Sequence, residues 1–521
     1  CRLCAMTFLR FLSFSFGMQS YGQMISRKIS KSTNSASTLG LFLVAFCFSL
    51  AIHSINRSFV ENDHEAGLRQ GITVKTADDA SYLRPVLNFL DEGTWKTNDA
   101  GRRAYVLRPP GYGLVYGFFV GFFGHPRALW ATMVLQVLLW SLAVSQLPEL
   151  GRNLGLSPRV SFFSAITVAV MPAFWGFLSY TLTEALTPSL VILFYVFFFR
   201  GIKERAEWLA IATLIAALLF LIRPALLVLT VGFIPFMSRR LLIYLLVSLI
   251  PLGSWQWRVY QITDEINLHP IYHSDANNLY RPLHAAIWDF HKMTGQSGAE
   301  FHNSMRVLWR SAQGSLGKRE AVEMALSQLP PSAIRSVGDE ELRAAYSKYA
   351  EVLSLQVPYR QAELAITDPL EGEAELLEAF SAFRKKYVSD NPIRAWVAVP
   401  AEVFWELTFH SNLSLYIFQK PLRGMVLIEI LRGFSLLIHF GSFVVVLFAP
   451  FILVRNRVAF ALVMPVLVYL AYLIFIQRGV EERYTLPFLV PAFYLALAVS
   501  GKILTSKLIY PFKQKREKLT T

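Results

Sequence analysis

Ten stretches of the chain are apolar almost throughout: 38–56, 128–148, 159–177, 181–200, 207–223, 224–238, 240–257, 433–453, 458–476 and 485–505. A helix that crosses the hydrocarbon core needs about 20 such residues, or somewhat fewer. Each stretch is therefore predicted as a membrane span. The pattern changes over 258–423. Runs such as "DEELRAAYSKYAEVLSLQ" and "EGEAELLEAFSAFRKKY" mix Ala and Leu with charges, and Pro330-Pro331 interrupts them. That predicts a mostly helical soluble insert. The segment "PPGYGLVYGFFVGFFG" (109–124) is short, rich in Gly and opened by two prolines. It is predicted to lie in the outer interface and not to span. The predicted fold class is an all-α polytopic membrane protein of about ten spans with a mostly helical extracytoplasmic insert.

The predicted organisation is a cytoplasmic segment 1–37, a transmembrane core 38–257 that includes an outer loop 57–127, the insert 258–423, C-terminal spans 424–505 and a basic tail 506–521. The count turns on 207–238, where two short spans meet at Arg223-Pro224. A single kinked helix there would invert all later topology. No internal repeat of the transporter kind is visible.

Composition agrees with the pattern. Charged residues are 17% of the chain and mean hydropathy is +0.41, against about 25% charged in soluble domains. Net charge is +14, gathered beside the apolar runs: Arg152 and Arg159, Arg200 with Lys203 and Arg205, Arg239-Arg240, Arg455 and Arg457, and Lys513–Lys518. Ten spans put every cluster on one side, as the positive-inside rule requires. "SRKISK" before the first span argues for a cytoplasmic N-terminus and an anchor, since no small-residue cleavage site follows. No basic face interleaved with aromatics appears, which sets nucleic acid aside. Of three Cys, Cys47 lies in an apolar run as a packing residue, and Cys1 and Cys4 lack a second pair for zinc. Met6, Met18 and Met24 are alternative starts, so residues 1–24 carry no weight.

The chemistry centres on Asp78 and Asp79 in "TADDASYLRPVLNFLDEG". Three readings compete. Thr76 caps a helix whose first turn carries the acids; the pair binds Mg²⁺ or Mn²⁺; or one acid is a general base. No His or further acid completes a metal spacing, so no metal ligand is assigned. On the predicted topology Arg108, Arg223 and Arg483 lie near the outer face, where bidentate guanidinium forks suit phosphate. Plainer readings stand beside these: Arg108 as a loop charge, Arg223 snorkelling to the interface, and Arg483 paired with Glu481 or Glu482. Glu184 opens an apolar run, so either function or an Arg partner is expected. In the insert, His269, His273, His284, His291 and His302 fit no zinc spacing and read as scattered polar residues beside packed Trp288 and Phe290. Asn56 and Asn412 stand in sequons that carry no weight without the cell type.

"DDASYLRPVLNFLDEGTW", "RPPGYGLVYGFFVGFFG", "SYTLTEALTPSLVILFYVFFF", "LFLIRPALLVL" and "EERYTLPFLVPAFYLALA" follow one another in order and sidedness. Together they resemble the GT-C class of membrane glycosyltransferases, which includes protein O-mannosyltransferases and the bacterial aminoarabinose lipid A transferases. The resemblance covers roughly the N-terminal half and the last outer turn, and it implies a GT-C-like seven-helix core. It also implies a lipid-phosphate-linked sugar donor. Asp78 takes the place of the catalytic Asp, Asp79 the place usually held by Glu, and Tyr82 follows as the loop Tyr. Arg108 stands for the basic residue before Pro, Glu184 for the acid of "LTE", and Arg483 and Tyr484 for the final "RY". Asp at the second acidic position is a departure, and the insert has no counterpart, which leaves the acceptor open.

The expectation is an inverting transferase of the cytoplasmic membrane with its site on the outer face. Its partners would be a polyprenyl-phosphate sugar, membrane lipids and an envelope acceptor, with a divalent cation left open as cofactor. Two rivals remain. A transporter or flippase of lipid-linked glycans needs ionisable residues through the bilayer, and the span centres are nearly free of them. A non-catalytic membrane protein would bind partners through 258–423.

Overall fold

A computed structural model describes residues 26–61, 68–76, 78–265, 281–410, 424–453, 456–478 and 481–517. The expectations for Cys1, Cys4, His269, His273, Asn412 and Arg455 fall outside these residues. Among the described residues the chain is helical almost throughout. Its β structure is one two-stranded hairpin, β1 (Leu68–Arg69) with β2 (Thr73–Val74), and a single bridge from Val74 to Tyr180.

Among the described residues six helical stretches are long and apolar enough to cross a membrane: Ala36–Ile55 within α1 (Ser26–Glu61), α4 (His125–Asn153), α8 (Arg239–Thr263), α16 (Val426–Leu453), Arg457–Gln477, which begins with α17 (Arg457–Ala471), and Arg483–Ile503, which leads into α18 (Leu486–Glu517). The other four predicted spans carry shorter helices. These are α5 (Pro158–Val170), α6 (Thr187–Lys203), α7 (Ala206–Ile222) and a 3₁₀ helix, Pro224–Phe236. At 17 residues, α6 and α7 reach the lower limit for a span.

Proline sets these lengths. Met171 and Arg223 each precede a proline and are extended, with ψ of 114° and 96°. The proline ring disfavours helical backbone at the residue before it. The chain therefore makes two elements on either side of Arg223. The 109–124 segment forms α3 (Gly111–Phe123) after α2 (Asp79–Glu92). Its 13 residues rise only about 20 Å, short of a bilayer core of about 30 Å.

α6 is the central helix, buried on almost every side, with Phe194 and Phe198 packed on Phe233 of the 3₁₀ helix. Its two ends differ. Near its last turn Arg200 pairs with Glu149 of α4, and Lys203 donates to Asn153 at 2.7 Å. Those contacts bring the basic loops at 149–158 and 200–206 to one end of the bundle, as the charge pattern predicts. Glu184, which precedes α6, stands at the opposite end.

The described part of the insert contains α9 (Pro282–Thr294), α10 (Gly298–Ala312), α11 (Lys318–Leu326), α12 (Pro331–Val337), α13 (Asp339–Gln361), α14 (Glu373–Asp390) and, after a π turn at Arg394–Ala398, α15 (Val399–Thr408). It has its own core around Ile287, Phe290, Leu308, Tyr346 and Phe380. A buried Arg281–Glu373 pair closes it, and Arg281 also donates to the carbonyls of Ile366 and Asp368 at 3.0 and 3.1 Å. α15 joins the span bundle through Val399, Val403 and Leu407. The expected scatter is not what is found: His284 and His291 are core residues packed on Phe301, and the exposed His302 lies on the same ring. His291 bonds Gln296 and the Tyr346 hydroxyl.

Two outcomes are expected. A Cβ on Gly111 would lie 2.5 Å from the nitrogen of Ile222, against α7's last turn, while one on Gly121 would meet nothing within 4 Å. Gly111→Ala should lose about 1–3 kcal/mol by overpacking, read as a lower Tm in detergent, and Gly121→Ala should not. Burial pushes His284 down to about 4 and His291 down to about 3. Both stay neutral in the fold while their unfolded forms take a proton below about pH 6.5. Insert stability is then full above that pH and falls as pH drops towards 4, by about 1.4 kcal/mol per pH unit for each histidine. Hydrogen exchange of α9 and α13 between pH 7 and 4.5 checks this, and His291→Gln should flatten the profile.

Candidate active site at one end of the helix bundle

The site is built on a link that is not a regular helix. Residues 171–186 join α5 to α6 through a single helical turn, Pro172–Trp175, further turns and a 3₁₀ turn, Thr183–Ala185. Backbone buried in apolar surroundings must find partners. Gln136 of α4 supplies one: its amide donates to the carbonyls of Leu178 at 2.7 Å and Tyr180 at 3.3 Å. The Tyr112 hydroxyl donates to the Gln136 carbonyl oxygen at 2.9 Å. On the other side the hairpin docks, with Val74 N–H on the Ser179 carbonyl at 2.9 Å.

The hairpin brings Arg69 to Asp79. Arg69 donates Nε and Nη2 to the two carboxylate oxygens at 2.7 and 2.6 Å, and Thr181 adds a contact at 3.3 Å. Asp79 is fully buried. The hydrogen bonds it donates to Asp79 hold the Arg69 guanidinium above its ordinary pKa.

Asp78 turns the other way. Arg108 Nη2 reaches one oxygen at 2.9 Å and Arg483 Nη2 the other at 3.0 Å. Its side chain is still 38% exposed. It lines a cavity of about 670 Å³ with Arg69, Ser81, Arg84, Arg103 and Arg108. Ser81 couples the two, accepting from Arg108 Nε at 3.1 Å and donating to the Asp78 carbonyl at 2.6 Å. Tyr82 lies under the Arg108 guanidinium, 5.0 Å from ring to charge. Burial pushes the Tyr82 hydroxyl up.

Behind Asp78 the network continues. Glu184 is buried, accepts from Arg223 Nη1 at 3.2 Å and lies 3.9 Å from Arg483. Arg223 stacks over the Tyr484 ring at 4.9 Å. Arg483 also pairs with Glu481 at 2.6 Å. Asp78, Tyr82, Arg108, Glu184, Arg223, Arg483 and Tyr484 thus meet in one cluster. Asp79 does not share it.

Thr76 does not cap α2: Asp78 occupies the cap position with helical backbone and no capping bond. Each of the two acids gives both oxygens to guanidinium groups. Among the described residues no group of three or more His, Cys, Asp or Glu suited to a metal occurs. Asp79 lies buried against Arg69, while Asp78 faces the cavity.

Sequence reasoning missed Arg69, Ser81 and Gln136. It also missed the pin on the Arg483 turn. Thr485 bonds His439 Nε2 at 2.9 Å, and His439 Nδ1 lies 3.1 Å from the carbonyl of His410. The Tyr469 hydroxyl donates to the Tyr484 carbonyl at 3.0 Å. A His inside the apolar run 433–453 was the available signal, because polar groups at that depth need partners.

No family model matches the sequence, and no curated protein matches it. Among solved structures the chain is similar to ArnT from Cupriavidus metallidurans in the apo state, at 13% identity over 88% of this chain and 76% of that one, with a TM-score of 0.31. It is similar to the same protein bound to undecaprenyl phosphate, at 12% identity over 92% and 78%, with a TM-score of 0.31. It is also similar to the archaeal oligosaccharyltransferase AglB from Archaeoglobus fulgidus, in complex with an inhibitory peptide and a dolichol-phosphate. That match is 12% identical over 92% of this chain and 52% of that one, with a TM-score of 0.40. Likeness of this degree carries no argument about the site.

Arg69→Ala leaves Asp79 buried without its cation and should cost about 3–5 kcal/mol. Arg69→Leu combined with Asp79→Asn should recover much of the loss. Thermal unfolding of the two variants in detergent tests this.

Proposed function

We propose that the chain is an inverting membrane glycosyltransferase of GT-C type. It moves a sugar from a polyprenyl-phosphate carrier to a glycan, lipid or protein acceptor of the cell envelope. The site faces outward from the cytoplasmic membrane, at the bundle end away from the basic loops. One observation carries the reading: Asp78, half-exposed to a cavity, is held between guanidiniums from two distant segments, Arg108 and Arg483. The order of the sequence motifs supports it.

The chemistry follows from those contacts. The acceptor oxygen attacks the anomeric carbon in line with the leaving phosphate. The new bond forms as the carbon–oxygen bond to phosphate breaks, and configuration inverts. The acceptor proton passes to an oxygen of Asp78. Guanidiniums occupy both oxygens of Asp78, so one fork must turn away to let the proton in. A phosphate competes for the same forks, because Arg binds it bidentately. As the proton neutralises Asp78, Arg108 and Arg483 are freed for the charge growing on phosphate. Glu184 keeps Arg223 and Arg483 at that end of the site, and Asp79 positions the loop through Arg69.

Sugar transfer in membranes from a panel of labelled polyprenyl-phosphate sugars tests this. Wild type should transfer from at least one donor, and Asp78→Asn should fall by about 10²–10⁴ at equal protein level. Equal transfer by both, or none by wild type from any donor, overturns the reading.

A further inference from the structure

The end of the insert carries a second apolar surface that the catalytic reading does not use. Over 393–409 the side chains of Ile393, Trp396, Val397, Trp405 and Phe409 are exposed, Ile393 by 75%. Ile393 and Val397 are one helical turn apart, as are Trp405 and Phe409. A polar edge runs beside them, where Arg394 pairs with Glu402 at 2.5 Å.

This face is continuous with the outside of α16. Trp405 and Phe409 stack at 3.9 Å, and each ring lies 5.3 Å from that of Phe440. Only 33% of the most apolar window of α16 is buried in the protein, and its outward residues include Phe434, Leu437 and Phe448. Depth can be read along that helix. Arg432 is the last Asp, Glu, Lys or Arg before 453. Phe440 lies about 12 Å further on, still within one leaflet of a hydrocarbon core about 30 Å thick. The ring cluster is therefore below headgroup level on the insert's side. At the other end, Trp396 sits under the Arg478 guanidinium at 5.2 Å, a Trp and Arg combination suited to the interface.

We propose that 393–409 is an outer-leaflet anchor: lipid acyl chains cover its apolar face, and the insert is seated in the membrane and not merely tethered to it. α15 runs beside the turn that carries Arg483, so the anchor also sets how that turn meets the bilayer. The inference stands whether or not the chain transfers sugar.

Spin labels on the full chain in phosphatidylethanolamine/phosphatidylglycerol nanodiscs test it, in a background with Cys1, Cys4 and Cys47 replaced by Ser. Val397→Cys and Ala401→Cys are compared with a lipid standard, Phe448→Cys, and a water standard, Arg319→Cys. The ratio of oxygen to nickel-chelate accessibility at 397 and 401 should exceed that at 319 by at least about threefold, as for an interfacial helix. A ratio like that at 319 means water bathes the face, and the proposal falls. Labels closed to both reagents mean that another protein surface covers it, and the proposal falls equally.

Discussion

Charge pairing at the end of an apolar bundle is the constraint on which the rest depends. An ion leaves water at a cost of several kcal/mol and persists only with a partner in good geometry. Here two of the three pairs join distant parts of the chain. Asp78 meets Arg483, Glu184 meets Arg223, and Arg69 meets Asp79. The first of these pairs ties the early outer loop to the turn before the last helix. The second ties the α6 entry to the α7 exit. The contacts that close this end of the bundle are thus also the contacts of the site.

Adjacent acids have come to opposite ends of that logic. Successive residues at a helix start point in directions about 100° apart. Asp79 meets the hairpin and is buried against one fork; Asp78 meets the cavity and is shared by two. A shared, half-exposed carboxylate can exchange partners when an anion arrives. A buried bidentate one cannot do so without stranding a charge. The same division recurs in the backbone, where Gln136 satisfies carbonyls of the non-helical link and so lets an irregular segment carry Glu184 into the bundle.

Much of this was legible beforehand. The apolar runs located the helices, and Pro224 marked the break at Arg223. Seven of the eight candidate site residues converge, because motifs placed at the same ends of successive spans are brought together when those spans pack. Asp79 was grouped with Asp78 because neighbouring positions in a sequence look equivalent, and the hairpin carrying Arg69 separates them in space. The spans 159–177 and 181–200 were drawn unbroken, yet the first helix stops at Val170 and the next starts at Thr187, because hydropathy does not register backbone breaks.

The sequence by itself determined which segments are apolar and where proline stops a helix. These are local properties, set by side-chain transfer energies and backbone sterics within a few residues. The tertiary structure alone decided which cation meets which carboxylate, that His439 pins the Arg483 turn and that the end of the insert lies against α16. Those depend on contacts between residues tens to hundreds of positions apart, which no local pattern encodes.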